Sequence, residues 1–135
     1  MRIIICLDDC NGFLFNNRRQ SMDRMVHRDM VEYVSQSSLW MSTYSYKNFT
    51  AASDNCHADD AYFDLMQRDD YCFAEDRFIL DNLQHADEII IYRWDRTYPC
   101  DVKFPAEILE NWNLVERFVF SGYSHDKITR EVYRR

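Results

Sequence analysis

Glycine and proline are nearly missing. Only Gly12 and Gly122, and only Pro99 and Pro105, occur among the 135 residues, against an average glycine usage of about 7%. Phosphate-cradling loops need glycines so that backbone amides can approach the ligand closely, and neither a Walker sequence nor a Gly-x-Ser-x-Gly elbow occurs. Long apolar runs are missing as well. No segment approaches a membrane span, and Met1-Arg2-Ile3-Ile4-Ile5 is too short for the apolar region of a signal peptide, so a cytoplasmic location and no membrane contact are expected. Positive charge is scarce, with 16 Lys and Arg against 23 Asp and Glu, a net charge of −7 and a pI near 5.0. A general nucleic-acid binder needs a basic face, so that class is excluded. Five cysteines without paired spacing fit reduced thiols better than a disulfide framework. Cys56-His57 with Asp59 and Asp60 lacks the spacing of a zinc site, and no metal is expected.

What is present is apolar and aromatic, at 47% and 16% of residues. That makes a globular chain, read as a single domain over 1–135 with no repeat or low-complexity run. Its organising stretch runs from Ala86 to Pro105. Glu88 to Trp94 carries three isoleucines followed by Tyr and Trp, the composition of a strand covered on both faces, and such strands belong to α/β domains. Arg2 to Asp8 reads as a first strand, followed by a loop from Asp9 to Gln20 whose Asn-Gly favours a tight turn. Asn16-Asn17 tolerates unusual backbone angles. Ser21 is the expected N-cap of a helix to about Val34. Leu39–Met41 reads as a strand, and Ser45 as the start of a short helix with Tyr46 and Phe49. A helical piece with Tyr62, Phe63, Leu65 and Met66, a strand over Tyr71–Ala74 and a helix over Phe78–His85 follow. Trp112–Phe120 and Ile128–Tyr133 then pair as a hairpin with Ser121–Lys127 at its tip.

The order Ala86-Asp87, apolar run, Asp101, Phe104-Pro105, Trp112 and Val115 resembles the C-terminal third of the dihydrofolate reductases. Ile3 to Asp8 followed by Asn11-Gly12 resembles their first strand and its Asn-Gly turn. The resemblance covers about half the chain. It implies a three-layer α/β fold with a dihydrofolate-reductase-like, mainly parallel mixed sheet ending in an antiparallel C-terminal hairpin. It further implies that Asp23 takes the place of the family's pterin-binding carboxylate, one turn into the first helix, with burial raising its pKa. Departures accompany it: Arg18 and Ser21 stand where the family keeps Trp and Pro, and Tyr92 where a threonine is expected. The stretches corresponding to the NADPH-phosphate turns, Met41–Ser45 and Phe73–Asp76, hold no glycine and two acids. No cofactor is therefore expected. The Asn-Arg-Arg-Gln-Ser and Tyr-Arg-Trp-Asp-Arg pieces also resemble a group of small bacterial and mobile-element proteins.

Four constellations carry possible chemistry. Asn17, Arg18, Arg19 and Gln20 before a helix start form a candidate anion site, because Arg forks match phosphate or carboxylate. The bland alternative is a solvated loop. Asp23 is a candidate catalytic acid, or simply a first-turn residue favoured by the helix dipole. His125 is a candidate base if the hairpin tip folds over the first loop. The adjacent Ser124, His125 and Asp126 cannot form a triad within one turn, since a triad needs convergence from separate segments. Tyr92, Trp94 and Arg96 could stack a planar ring and hold its phosphate, or be core.

The leading expectation is a binder of a small anionic, nucleotide-like or pterin-like ligand at the strand ends, without NADPH-dependent hydride transfer. Arg18 and Arg19 would hold charge, Asp23 would read a ring donor, and Tyr92 with Trp94 would stack. The alternatives are a diverged reductase or nucleotide-processing hydrolase using Asp23 and His125, and an acidic interaction or inhibitor protein acting on a protein partner. A homodimer is also open.

Overall fold

The computed structural model describes residues 1–135. Strand β1, Arg2–Leu7, lies at the centre of a seven-stranded sheet. Its side chains alternate faces as the period of a strand requires. Ile4 and Cys6 enter one core layer with Val26, Met30 and Val34 of helix α1 (Arg24–Val34), and Ile3, Ile5 and Leu7 enter a second layer with Ile79 and Leu83. That division makes the three layers.

Two short strands, β2 (Gly12–Phe15) and β3 (Arg18–Arg19), occupy the region expected to be loop. Then come β4 (Leu39–Met41), α2 (Thr43–Lys47), β5 (Cys56–Ala58), α3 (Tyr62–Leu65) and β6 (Tyr71–Phe73). A 3₁₀ segment, Arg77–His85, leads to β7, Glu88–Arg93, the expected central strand. The chain closes with β8 (Val102–Lys103), a 3₁₀ segment Ala106–Asn111, β9 (Asn113–Phe120) and β10 (Ile128–Arg134). Sheet order is β5-β4-β6-β1-β7-β10-β9. Its first five strands run parallel, and β10 runs antiparallel to both β7 and β9.

Three expectations need correcting. β2 pairs antiparallel with β3 and with β8, so the 9–20 region is a small second sheet rather than free loop. The helix begins at Arg24, and its N-cap is Asp23, whose carboxylate accepts from Met25 N–H, in place of Ser21. The 78–85 helix is wound as 3₁₀ from Arg77, capped by Asp76. β5 was not visible in sequence, being three half-polar residues at a sheet edge.

With so few glycines, other residues take the left-handed backbone. Asn11, Asn16, Asn17, Ser35 and Asp95 all have φ between 51° and 61°, and neither glycine has positive φ. Asn and Asp tolerate that region because their short side chains bond locally.

Candidate functional site

The sheet brings the C-terminal ends of β1, β6 and β7 together, and the β2–β3 hairpin folds across them. Beneath it lies a cavity of about 10 Å³, roughly the room one water needs. Cys6, Phe13, Leu14 and Trp94 form its apolar wall, while Arg19, Gln20, Ser21 and Glu75 bring polar atoms to it.

Arg19 Nε donates to Glu75 Oε2 at 2.8 Å, and the guanidinium lies 4.3 Å over the Tyr44 ring. Burial pushes the Glu75 carboxyl up from its ordinary range, with Arg19 opposing. Gln20 Nε2 donates to Asp8 Oδ2 at 2.9 Å and to the Pro99 carbonyl at 3.4 Å. Two acceptors on that side fix the amide orientation, and the buried Oε1 is left without a partner.

Asp8 is a residue that sequence reasoning passed over. It is wholly buried, and it accepts from the N–H groups of Cys10, Gly12 and Tyr98 as well as from Gln20. Burial opposes its ionisation, yet these donors together hold its pKa below the usual value. An acid ending an apolar strand ahead of Cys-Asn-Gly was the signal available.

The second half of the site joins helix start to hairpin tip. Asp23 accepts from the backbone N–H groups of Tyr123 and Ser124, each at 2.9 Å, and from His125 Nδ1 at 2.9 Å. Because a carboxylate only accepts, Nδ1 carries the proton. His125 Nε2 then faces two hydroxyls, Tyr98 Oη at 2.8 Å and Ser21 Oγ at 3.1 Å. Its ring stacks on Trp94 with centroids 4.7 Å apart. Burial favours a raised Asp23 pKa, but the Tyr123 N–H, His125 and the Ser124 and Met25 N–H groups outweigh it and hold the carboxyl well below its ordinary range. The expectation of a carboxylic acid with a raised pKa is therefore corrected: Asp23 is an anion by virtue of its donors.

Both glycines sit beside these carboxylates. A Cβ at Gly12 would lie 2.7 Å from Asp8 Oδ2, and one at Gly122 would lie 2.7 Å from Asp23 Oδ2 and 2.6 Å from the His125 carbonyl. The close approach of the backbone to each carboxylate demands glycine at these two positions.

Among the other candidates, Trp94 belongs to the site, but its face is covered by His125. Tyr92 does not belong. It is fully buried, and its hydroxyl donates to Asp29 at 2.7 Å on the helix side of the sheet, so a stacking role for it is corrected to core packing. Asn17, Arg18 and Arg96 are exposed, in the β2–β3 turn, on β3 and in the turn after β7. Ser21 and Tyr98, which stand in the Asn16–Asp23 and Tyr92–Tyr98 constellations, meet at His125, a pairing not expected because no local pattern distinguishes a hydroxyl that meets a distant histidine.

Two helix starts bear on cofactors. Thr43 N–H and Oγ1 both donate to Asp60 Oδ1 at 2.9 Å, and Asp76 Oδ1 accepts from Ile79 N–H while Tyr62 Oη donates to Oδ2. No group of three or more metal-ligating side chains converges.

Topology, strand order and hairpin define a dihydrofolate-reductase-like α/β fold. A dihydrofolate reductase from Enterococcus faecalis, solved in complex with NADP(H) and RAB-propyl, matches 99% of this chain and 95% of its own length with a TM-score of 0.67. Identity with it is 11%, so the likeness is one of fold. No family model and no curated protein matches the chain.

Proposed function

We propose that this chain binds a small anionic, nucleotide-like or pterin-like ligand at the strand ends, without NADPH-dependent hydride transfer. The observation that carries the reading is the cavity at the strand ends lined by Arg19, Gln20 and Ser21, together with a Gln20 Oε1 that is buried without a protein donor. A buried acceptor with no donor costs about 1–3 kcal/mol, and a ligand N–H or O–H removes that cost. Arg19 supplies the positive fork for a phosphate or carboxylate once it leaves Glu75, whose carboxyl already resists ionisation through burial. Exposed Arg18, with Asn17 beside it on the same hairpin, adds charge and hydrogen bonding, and exposed Arg96 meets a second anionic group. The cavity admits little more than a water, so binding requires the β2–β3 hairpin to lift.

A dinucleotide does not fit the residues present. Amides at the starts of α2 and of the 77–85 segment, in the stretches that correspond to the reductases' phosphate turns, are held by Asp60 and Asp76. Those carboxylates would repel a phosphate.

The test is a thermal-shift screen against nucleotides, pterins, folates and NADPH, because a ligand that binds only the folded chain raises its melting temperature by mass action. A nucleotide or pterin should stabilise the wild type, by about 2.7 kcal/mol at a hundred times its Kd, and the Arg18→Ala, Arg19→Ala double variant far less. Stabilisation by NADPH would return the reductase reading, and a flat screen would sink the ligand reading.

A further inference from the structure

We infer that Ser21, His125 and Asp23 form a nucleophile, base and positioning carboxylate for hydrolysis of a small ester. They come from two segments distant in sequence: Ser21 and Asp23 from the residues leading into α1, and His125 from the β9–β10 tip, 102 residues beyond Asp23. The two contacts are those such chemistry needs, with Ser21 Oγ 3.1 Å from Nε2 and Asp23 Oδ2 2.9 Å from Nδ1. Asp23 has no exposed side-chain surface and His125 only 3%, whereas Ser21 is half-buried and lines the cavity. Ser21 thus stands at the cavity where a ligand would lie, and its base is shielded behind it.

The step balances with water as the co-reactant. Ser21 Oγ bonds to the acyl carbon as its proton passes to Nε2, and the leaving oxygen takes that proton as its bond to carbon breaks. Water then attacks the acyl-serine and yields one proton to Nε2. The acid departs, and the proton returns to Ser21. Nδ1 keeps its own proton throughout, held toward Asp23, which is therefore a positioning residue. Tyr98 Oη competes for the same nitrogen in the resting state. That the substrate bears a phosphate or carboxylate rests on the anion reading above. The triad itself does not.

The experiment is labelling of the full chain with an uncharged fluorophosphonate, the labelled residue located by mass spectrometry. Expected are a label on Ser21, none in Ser21→Ala, and a labelling rate lowered about a hundredfold or more in Asp23→Asn. Asparagine keeps an oxygen for the cap N–H groups but presents an amide donor to Nδ1, so it favours the wrong imidazole tautomer. A merely structural Asp23 would lower the melting temperature of Asp23→Asn and leave labelling of the folded fraction unchanged, which would overturn the inference. So would a label on Tyr98 alone, or no label on folded wild type. A labelled Ser21 with a flat ligand screen keeps the triad and removes the anion reading; a ligand shift with unlabelled Ser21 does the reverse.

Discussion

At the scale of single residues, the two carboxylates Asp8 and Asp23 hold the site. Each lies where a strand end or helix start meets a distant loop, and each gathers at least four donors. Their demand for close backbone explains why the chain's two glycines stand where they do. Gly122→Ala would drive a methyl to 2.6 Å from the His125 carbonyl, a backbone atom that cannot swing aside. We expect a loss of about 1–3 kcal/mol in urea unfolding, with the hairpin tip displaced from Asp23. Unchanged stability would show that the tip yields freely. Gly12→Ala meets the end of a side chain first, Gln20 Nε2 at 2.5 Å, so the smaller loss is expected there.

At the scale of elements, α1 carries the site at one end and strain at the other. Its C-cap Ser35 has φ 56° and ψ −118°, a conformation that a side chain disfavours by about 1–3 kcal/mol. Ser35→Gly should therefore stabilise the protein by about 1 kcal/mol after the larger entropy of the unfolded glycine chain is deducted. In a thermal melt that is a rise of roughly 4 °C, and a fall would mean that the serine is not strained. The β9–β10 hairpin has a different division of labour. β10 is buried against β7, with Ile128 and Val132 fully covered, while β9 is a sheet edge with Leu114, Val115, Phe118 and Val119 about half exposed. The apolar content of Trp112–Phe120 announced the strand and could not say that these four side chains, on both of its faces, would remain half uncovered.

At the scale of the molecule, stability and pH are tied through buried groups. His27 is buried against Phe49, and its Nδ1 accepts from Thr50 N–H. Burial first, then the nearby Arg19 charge, lowers its pKa from 6.5 to about 4. A depressed folded pKa means that the unfolded chain binds the proton more readily, so this stability is present above about 6.5 and is lost as pH falls toward 4. The slope is at most about 1.4 kcal/mol per pH unit, and His27→Gln should flatten it in urea midpoints measured from pH 7 to 4. An unchanged slope would assign the loss to other groups. Asp8 and Asp23 act in the same direction at lower pH. Their stabilisation is present above the ordinary carboxylate pKa of about 4 and disappears as pH falls through their depressed folded values.

The sequence by itself determined six of the seven strands of the main sheet, all but β5, and their approximate bounds. β1 and β7 are unbroken apolar runs, and burial on both faces of a parallel sheet requires nothing more than that. It also determined that Asn16 and Asn17 would take unusual backbone angles, a local property of their side chains. Tertiary structure alone decided which polar residues meet. Tyr92 on β7 and Trp94 just past its end are two apart, have the same aromatic character and share one core layer, yet only Trp94 also lines the cavity. Asp23 and His125 lie 102 residues apart, and their contact depends on the strand order that folds the last hairpin back over the first helix. Periodicity reports how a segment divides its faces between core and solvent, whereas the partner of a buried polar atom is set by whichever segment the topology lays against it.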